Sequence, residues 1–357
     1  MSETVPVMRP ILPPLAIVNP YLEAVYESGI FSNRGPLVRR LEERYAEWFG
    51  VDPDQVVAVS NGTVSLSAAA VASDGQRFLV PEWTFPATAM GPIQVGKKIE
   101  FRDVNPETWL LELTEDDFAD AASVVPMPVA PYGMEFDFEP WKKFPHLILD
   151  AAASVGTRQS LSGILPDWSV TVSLHATKVL GCGEGGLVIF GDKAKAQVVR
   201  EWINFGFSGA RVTERIGTNG KMSELTAAFA LAALDRWDDE KADWLAAKEK
   251  VEQVNQRLDL NTGPTPAAGI NPYWMVDFGT PERAKLVEDR LAEAGIGSRR
   301  WWPAAMTESA PFKAHPTSGN RVAAGLASSV LGLPMFRGIS DEQVQRVEAV
   351  LAAALGS

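Results

Sequence analysis

The chain has 357 residues, 46% of them hydrophobic and 22% charged, with a formal net charge of -12. That length suits two domains, and the balance is that of a globular protein with a sizeable core, not of a disordered chain. So acidic a composition argues against a nucleic-acid partner, because phosphate backbones select basic faces, but it leaves open a small anionic substrate held in a local cleft.

One cysteine, Cys182, excludes a disulfide framework, and with only His146, His175 and His315 beside it a Cys/His zinc cluster is excluded too. The reducing cytoplasm is the expected compartment. The proline-rich start, carrying Glu3 where a leader would be basic and then apolar, does not read as a signal peptide. The most apolar stretch, 225–234, is too short to span a bilayer, so no membrane is expected.

Residues 20–49 read as two helical stretches; in the second, Leu37, Leu41, Tyr45 and Phe49 recur four apart on one face. Short apolar runs then alternate with helical patterns. VVAVS (56–60) predicts a strand followed by a helix from about Thr63, and RFLVP (77–81) a strand followed by a helix from about Phe85. Further strands are expected in IEFRDV (99–104), ASVVPMPV (122–129), HLILD (146–150), WSVTVSL (168–174) and GLVIF (186–190). Such alternation means βαβ units on a mostly parallel sheet, with sites at the carboxyl ends of strands. A helical tract follows from Ser223 to about Leu258, then a breaker-rich linker at 261–269. Beyond it the sequence predicts a strand at 273–278, a helix at 281–294, a strand at SRRWW (298–302), an edge strand at 330–336 interrupted by Pro334, and a helix at 340–355. The fold class is therefore α/β, a large domain over 1–240 followed by a small α+β domain over 241–357.

Four features fall at strand ends. Ser60-Asn61-Gly62-Thr63 is a strand-to-helix turn where free N–H groups can cradle a phosphate, or a plain turn capped by Thr63. Phe85 can stack on a planar ring or pack in the core. Asp150, closing LILD, can pair with a protonated ring nitrogen or cap a helix starting at Ala151. Lys178 stands between an apolar strand and a run holding four glycines, where a desolvated amine can condense with an aldehyde; the alternative is a solvated surface lysine. The lysine follows the aspartate by 28 residues (178 − 150 = 28).

In this order SNGTVSL, PEWTFPATA, LILDAAASVG, SLHATKVLGCGEGG and IGTNGKMSELTAAFALAAL resemble the motifs of the DegT/StrS-type sugar aminotransferases, fold-type-I enzymes dependent on pyridoxal 5′-phosphate. The resemblance runs from about 12 to 355. It implies that Lys178 bonds the cofactor and shuttles protons, that Asp150 pairs with the pyridine nitrogen, and that Phe85 stacks on the ring. Gly62, Thr63 and the Ser173 hydroxyl would bind the phosphate, and Asn219 would reach it from the partner subunit of a homodimer with shared sites. Asn219 could instead serve a left-handed turn. His175 would lie beside the sugar or be a packed, hydrogen-bonded histidine. The chain departs from the family at Ala153, where Gln or His is usual, and at Trp301-Trp302-Pro303-Ala304-Ala305, which lacks a histidine of the substrate-side wall.

The resemblance implies an aminotransferase working in two half-reactions, with an amino acid (L-glutamate by analogy) as donor and a nucleotide-linked keto-sugar as acceptor. APYG (130–133) with SLHATK most resembles the branch that aminates C4 of 6-deoxy sugars. The alternatives are a pyridoxamine-phosphate-dependent dehydratase, in which relatives replace the lysine by histidine, and a non-catalytic regulator of the same fold. A Rossmann oxidoreductase is excluded because no G-x-G-x-x-G follows the first strand.

Overall fold

From Val56 to Trp202 short apolar strands alternate with helices. The computed structural model describes residues 4–264 and 269–356, so residues 265–268 of the expected linker and the termini 1–3 and 357 lie outside the described residues. Two helices come first, α1 (Leu15–Ser28) and α2 (Pro36–Phe49). The alternating part runs β1 (Val56–Val59), α3 (Gly62–Ala72), β2 (Arg77–Pro81), α4 (Ala87–Gln94), β3 (Lys98–Arg102), α5 (Glu115–Ala119), β4 (Val124–Pro126), β5 (Leu147–Asp150), β6 (Trp168–Ser173), β7 (Gly186–Phe190) and α6 (Lys193–Trp202).

Strands β3, β2 and β4 form a parallel ladder, and β5 pairs parallel with β6. A parallel bridge between Val129 and Asp150 brings these two ladders together. The exception is β7, which runs antiparallel to both β6 and β1. Adjacent strand residues serve opposite faces: Val57, Val59, Val188 and Phe190 pack with α3 and α6, while Val56, Ala58, Leu187 and Ile189 pack with α2 and α7. Both faces are covered, which is why the strands read as unbroken apolar runs.

The predicted helical tract is two helices, α7 (Glu224–Asp235) and α8 (Trp237–Leu258), which meet at Arg236. The expected boundary at 240/241 falls inside α8. Then follow β8 (Trp274–Asp277), α9 (Pro281–Glu293), α10 (Arg321–Ser329), β9 (Val330–Leu333) and α11 (Asp341–Leu355). Strands β8 and β9 pair antiparallel, and β9 stops where Pro334 can no longer donate to a ladder. Ser340 and Gln343 cap α11 reciprocally, as the sequence predicts. The N-terminal Val5 pairs with Ile296, so the first described residues lie against the C-terminal part.

One expected strand is absent. SRRWW makes only a single bridge, Arg299 to Gly332, because the next residues turn away into an aromatic cluster. Among the described residues no helix is long and apolar enough to cross a membrane.

Candidate active site

The loops that follow β1, β2, β5 and β6 lie at the carboxyl edge of the sheet, where parallel strands leave space between helix starts. After β1, Asn61 rather than Thr63 caps α3, its side chain accepting from Val64 N at 2.9 Å. The N–H groups of Gly62 and Thr63 thus stand at an open helix start, where the macrodipole favours an anion. A Cβ at Gly62 would come within 3.0 Å of Ser173 Cβ and 3.2 Å of its Oγ. Gly62 and Ser173 therefore form one cradle, and any side chain at 62 would fill it.

Phe85, after β2, is 59% exposed, so core packing is not its role. Three residues on, Thr88 Oγ1 donates to Asp150 Oδ2 at 2.7 Å while sharing a second contact with Thr84. Asp150 Oδ1 accepts from Ala152 N, and no helix begins at Ala151, so the helix-cap alternative falls. The Asp150 side chain is buried with no cation within ion-pair distance among the described residues. Burial raises its pKa; the Thr88 and Ala152 hydrogen bonds and the Lys178 charge act against that rise.

Lys178 is half-buried rather than solvated. Its loop is folded on itself by bonds from Lys178 N to His175 O and from Gly181 N to Lys178 O. A Cβ at Gly181 would lie 2.7 Å from His175 O and 2.8 Å from Ala176 Cα, so glycine is required there. The Lys178 amine donates to Tyr273 Oη at 2.8 Å. His175 is not a packed residue: its ring bonds Thr177 Oγ1 at 2.9 Å and is partly exposed near Glu184.

Asn219 does not adopt a left-handed conformation; it pairs with Asn204 across an antiparallel bridge. Its side chain is exposed and makes no hydrogen bond among the described residues, while the next residue, Gly220, accepts from Ser60 N at 2.9 Å. Among the described residues of one chain the Asn219 side chain makes no hydrogen bond to Gly62, Thr63 or Ser173.

The wall that the resemblance assigns to the substrate is aromatic. Tyr132 stacks on Trp302 with ring centroids 4.4 Å apart, and Trp83 stands edge-on to Trp302 at 4.9 Å, its Nε1 bonding Trp302 O. Tyr132 has a φ of 55°, a strained value for a tyrosine, held by this packing and by the turn at Gly133. Its hydroxyl is buried without a hydrogen-bond partner among the described residues, and burial pushes its pKa well above that of a free phenol. The Glu82 carboxylate anchors the wall's far side, accepting from Thr307 N and Thr317 Oγ1. Ala153, where the family resemblance leads one to expect a polar residue, is buried. Reading the sequence missed Thr88, which sits inside the PEWTFPATA motif, and Tyr273, which lies 95 residues from Lys178 with no motif around it.

The model of the DegT/DnrJ/EryC1/StrS aminotransferase family matches residues 17–352. A dTDP-4-amino-4,6-dideoxy-D-glucose transaminase of Shigella dysenteriae is 32% identical, the match covering 98% of this chain and 99% of the relative. A solved Bacillus cereus chain, assigned to the PLP-dependent aminotransferases, superposes with a TM-score of 0.89 at 26% identity, covering 98% of this chain and 100% of its own. DesI, solved in the presence of its TDP-sugar product, superposes with a TM-score of 0.85 at 28% identity, covering 100% of this chain and 94% of its own. With its fold-type-I architecture and a match over nearly its full length, the chain belongs to the DegT/DnrJ/EryC1/StrS aminotransferase family.

Proposed function

We propose that this member of a nucleotide-sugar aminotransferase family carries pyridoxal 5′-phosphate on Lys178 and moves an amino group from L-glutamate to the C4 ketone of a nucleotide-linked 6-deoxy sugar. One observation carries the reading: a half-buried amine, a buried carboxylate without a cation, an exposed aromatic face and a cradle of N–H groups and a hydroxyl converge on one sheet edge. These residues fit the cofactor group by group. When bound, it supplies the aldehyde that takes up the donor's nitrogen and the ring that draws electrons from the reacting carbon.

Gly62, Thr63 and Ser173 hold the phosphate, with Asn219 of a second copy completing the hold in a homodimer. Phe85 covers one ring face. Asp150, whose buried carboxylate has no cation within ion-pair distance among the described residues, keeps the ring nitrogen protonated. Thr88 orients that carboxylate. Lys178, once its amine is free, would take a proton from the donor's amino-bearing carbon and deliver it across the nitrogen to the cofactor carbon that carried the aldehyde. His175 stands on the sugar side. The wall of Trp83, Tyr132, Trp301 and Trp302 excludes water and offers a C6 methyl apolar contact. The Shigella relative is named for a 4-amino-4,6-dideoxy sugar, which supports the same acceptor class. The chain divides into a cofactor unit over 1–240 and a smaller unit over 241–357, and it works in the cytoplasm, where its buried free thiol persists.

Purified protein with pyridoxal phosphate and nitrogen-15 glutamate should label a nucleotide-linked 4-keto-6-deoxy sugar from a panel of dTDP, GDP and UDP sugars, read by mass. No labelled sugar, or label on a 3-keto uronate alone, would overturn the reading.

A further inference from the structure

We propose that Tyr273 is a positioning residue for Lys178, holding the amine in place whenever it is not bonded to the cofactor; this rests on the assignment of Lys178 above. The Tyr273 hydroxyl accepts from Lys178 Nζ at 2.8 Å, and the same amine lies 5.3 Å from the Tyr273 ring centroid. Among the described residues Lys178 has no carboxylate within ion-pair distance, and the Asp150 carboxylate is engaged with Thr88 and Ala152. The hydrogen-bond partner of this amine among the described residues is thus Tyr273, reached across the fold from the C-terminal part.

The tyrosine is itself held. Its N–H donates to Asn271 Oδ1 at 3.1 Å, and its ring meets Tyr132 edge-on at 5.6 Å and Trp301 at 5.2 Å. A hydroxyl fixed on three sides can gather a lysine whose four-carbon stem would otherwise sample many rotamers. Lys178 must meet the cofactor aldehyde at the start and regain it after each amino transfer. In both steps a free amine that is already placed reacts sooner than one that must be found. When Lys178 bonds the cofactor the Tyr273 hydroxyl loses this donor, so its hold on the amine belongs to the states in which Lys178 is free.

The test compares two ligands on cofactor-free protein. Pyridoxal phosphate forms a bond to the lysine and is followed by its absorbance; pyridoxamine phosphate forms none and is followed by tryptophan quenching. In Tyr273→Phe, capture of pyridoxal phosphate should slow roughly tenfold, the scale of releasing one ordered lysine side chain, while pyridoxamine phosphate binding stays within about twofold. Tyr273→Gln, whose amide oxygen can accept the same bond, should recover part of the rate, and it serves if the phenylalanine variant folds poorly. Capture at the wild-type rate in Tyr273→Phe, or a parallel loss for both ligands, would overturn the proposal. Borohydride trapping and peptide mapping of the wild type separates the two levels. Label on a lysine other than Lys178 overturns the Lys178 assignment and this proposal together, whereas label on Lys178 with unchanged capture overturns Tyr273 alone.

Discussion

Asp150 is destabilising where it stands. Burial raises its pKa, so the folded chain binds this proton more tightly than the unfolded chain does. Its contribution to stability is then most favourable in acid and falls as pH rises from the ordinary carboxyl range through the raised value, the reverse of an ion-paired aspartate. In the cofactor-free protein, Asp150→Asn should therefore melt at a higher temperature than wild type at neutral pH and no higher in acid, as calorimetry would show. The same variant cannot balance a protonated ring nitrogen, and its half-reaction with glutamate should slow by roughly a hundredfold or more, the scale of one preorganised electrostatic contact. A stabilised yet slow variant marks a functional carboxylate; a variant neither stabilised nor slowed would refute that role. Gly62 makes the complementary case. Gly62→Ala suits a helix start but sets its methyl 3.0 Å from Ser173 Cβ. Cofactor affinity, measured by titration, should drop by about tenfold, or about 1.4 kcal/mol, with thermal stability little changed.

Element by element, the segment before α7 is tied to the helices beneath it. Helix α2 starts at Gly35, which has no side chain to cap it, and the Glu224 carboxylate does so from α7, accepting from Leu37 N at 2.7 Å and Val38 N at 3.2 Å. A Cβ at Gly35 would lie 2.7 Å from Glu224 Cδ, so α2 cannot be given its own capping side chain. Glu224→Ala would leave two buried N–H groups unpaired and should cost about 2 kcal/mol in urea unfolding. Because α7 begins five residues after Asn219, the variant should also weaken cofactor binding; an unchanged affinity would separate that loop from α2. The helices and strands here were legible because their apolar periods are local properties. SRRWW was not, since its β-like composition serves an aromatic wall whose partners, Tyr132 and Trp83, come from distant loops.

For the whole molecule the open question is where Asn219 acts. Its side chain is exposed and unbonded, and the loop around it exposes Val212 and Ile216, apolar residues that a second copy would cover. Lys178→Ala and Asn219→Asp should each be inactive, the second because a carboxylate would oppose the cofactor phosphate. In their mixed dimer one site collects both lesions and the other none. Activity should return on mixing, towards half the wild-type value per mixed dimer, measured as glutamate-dependent amination. Mixed dimers that form and stay inactive would place each complete site within one chain.

The sequence by itself determined the fold class and most strands and helices, though not α5, α6 or α10. It pointed to the set Gly62, Thr63, Phe85, Asp150, Ser173 and Lys178 through strand ends and glycine-flanked turns written in consecutive residues and the family resemblance they carry. It could not decide among rival roles for the same residues. Whether Asp150 caps a helix, Phe85 packs inside or Asn219 turns left-handed depends on the neighbours that burial and backbone geometry supply. Tyr273 lay beyond local reading altogether, for its meeting with Lys178 spans 95 residues and exists only once the C-terminal part closes over the sheet edge.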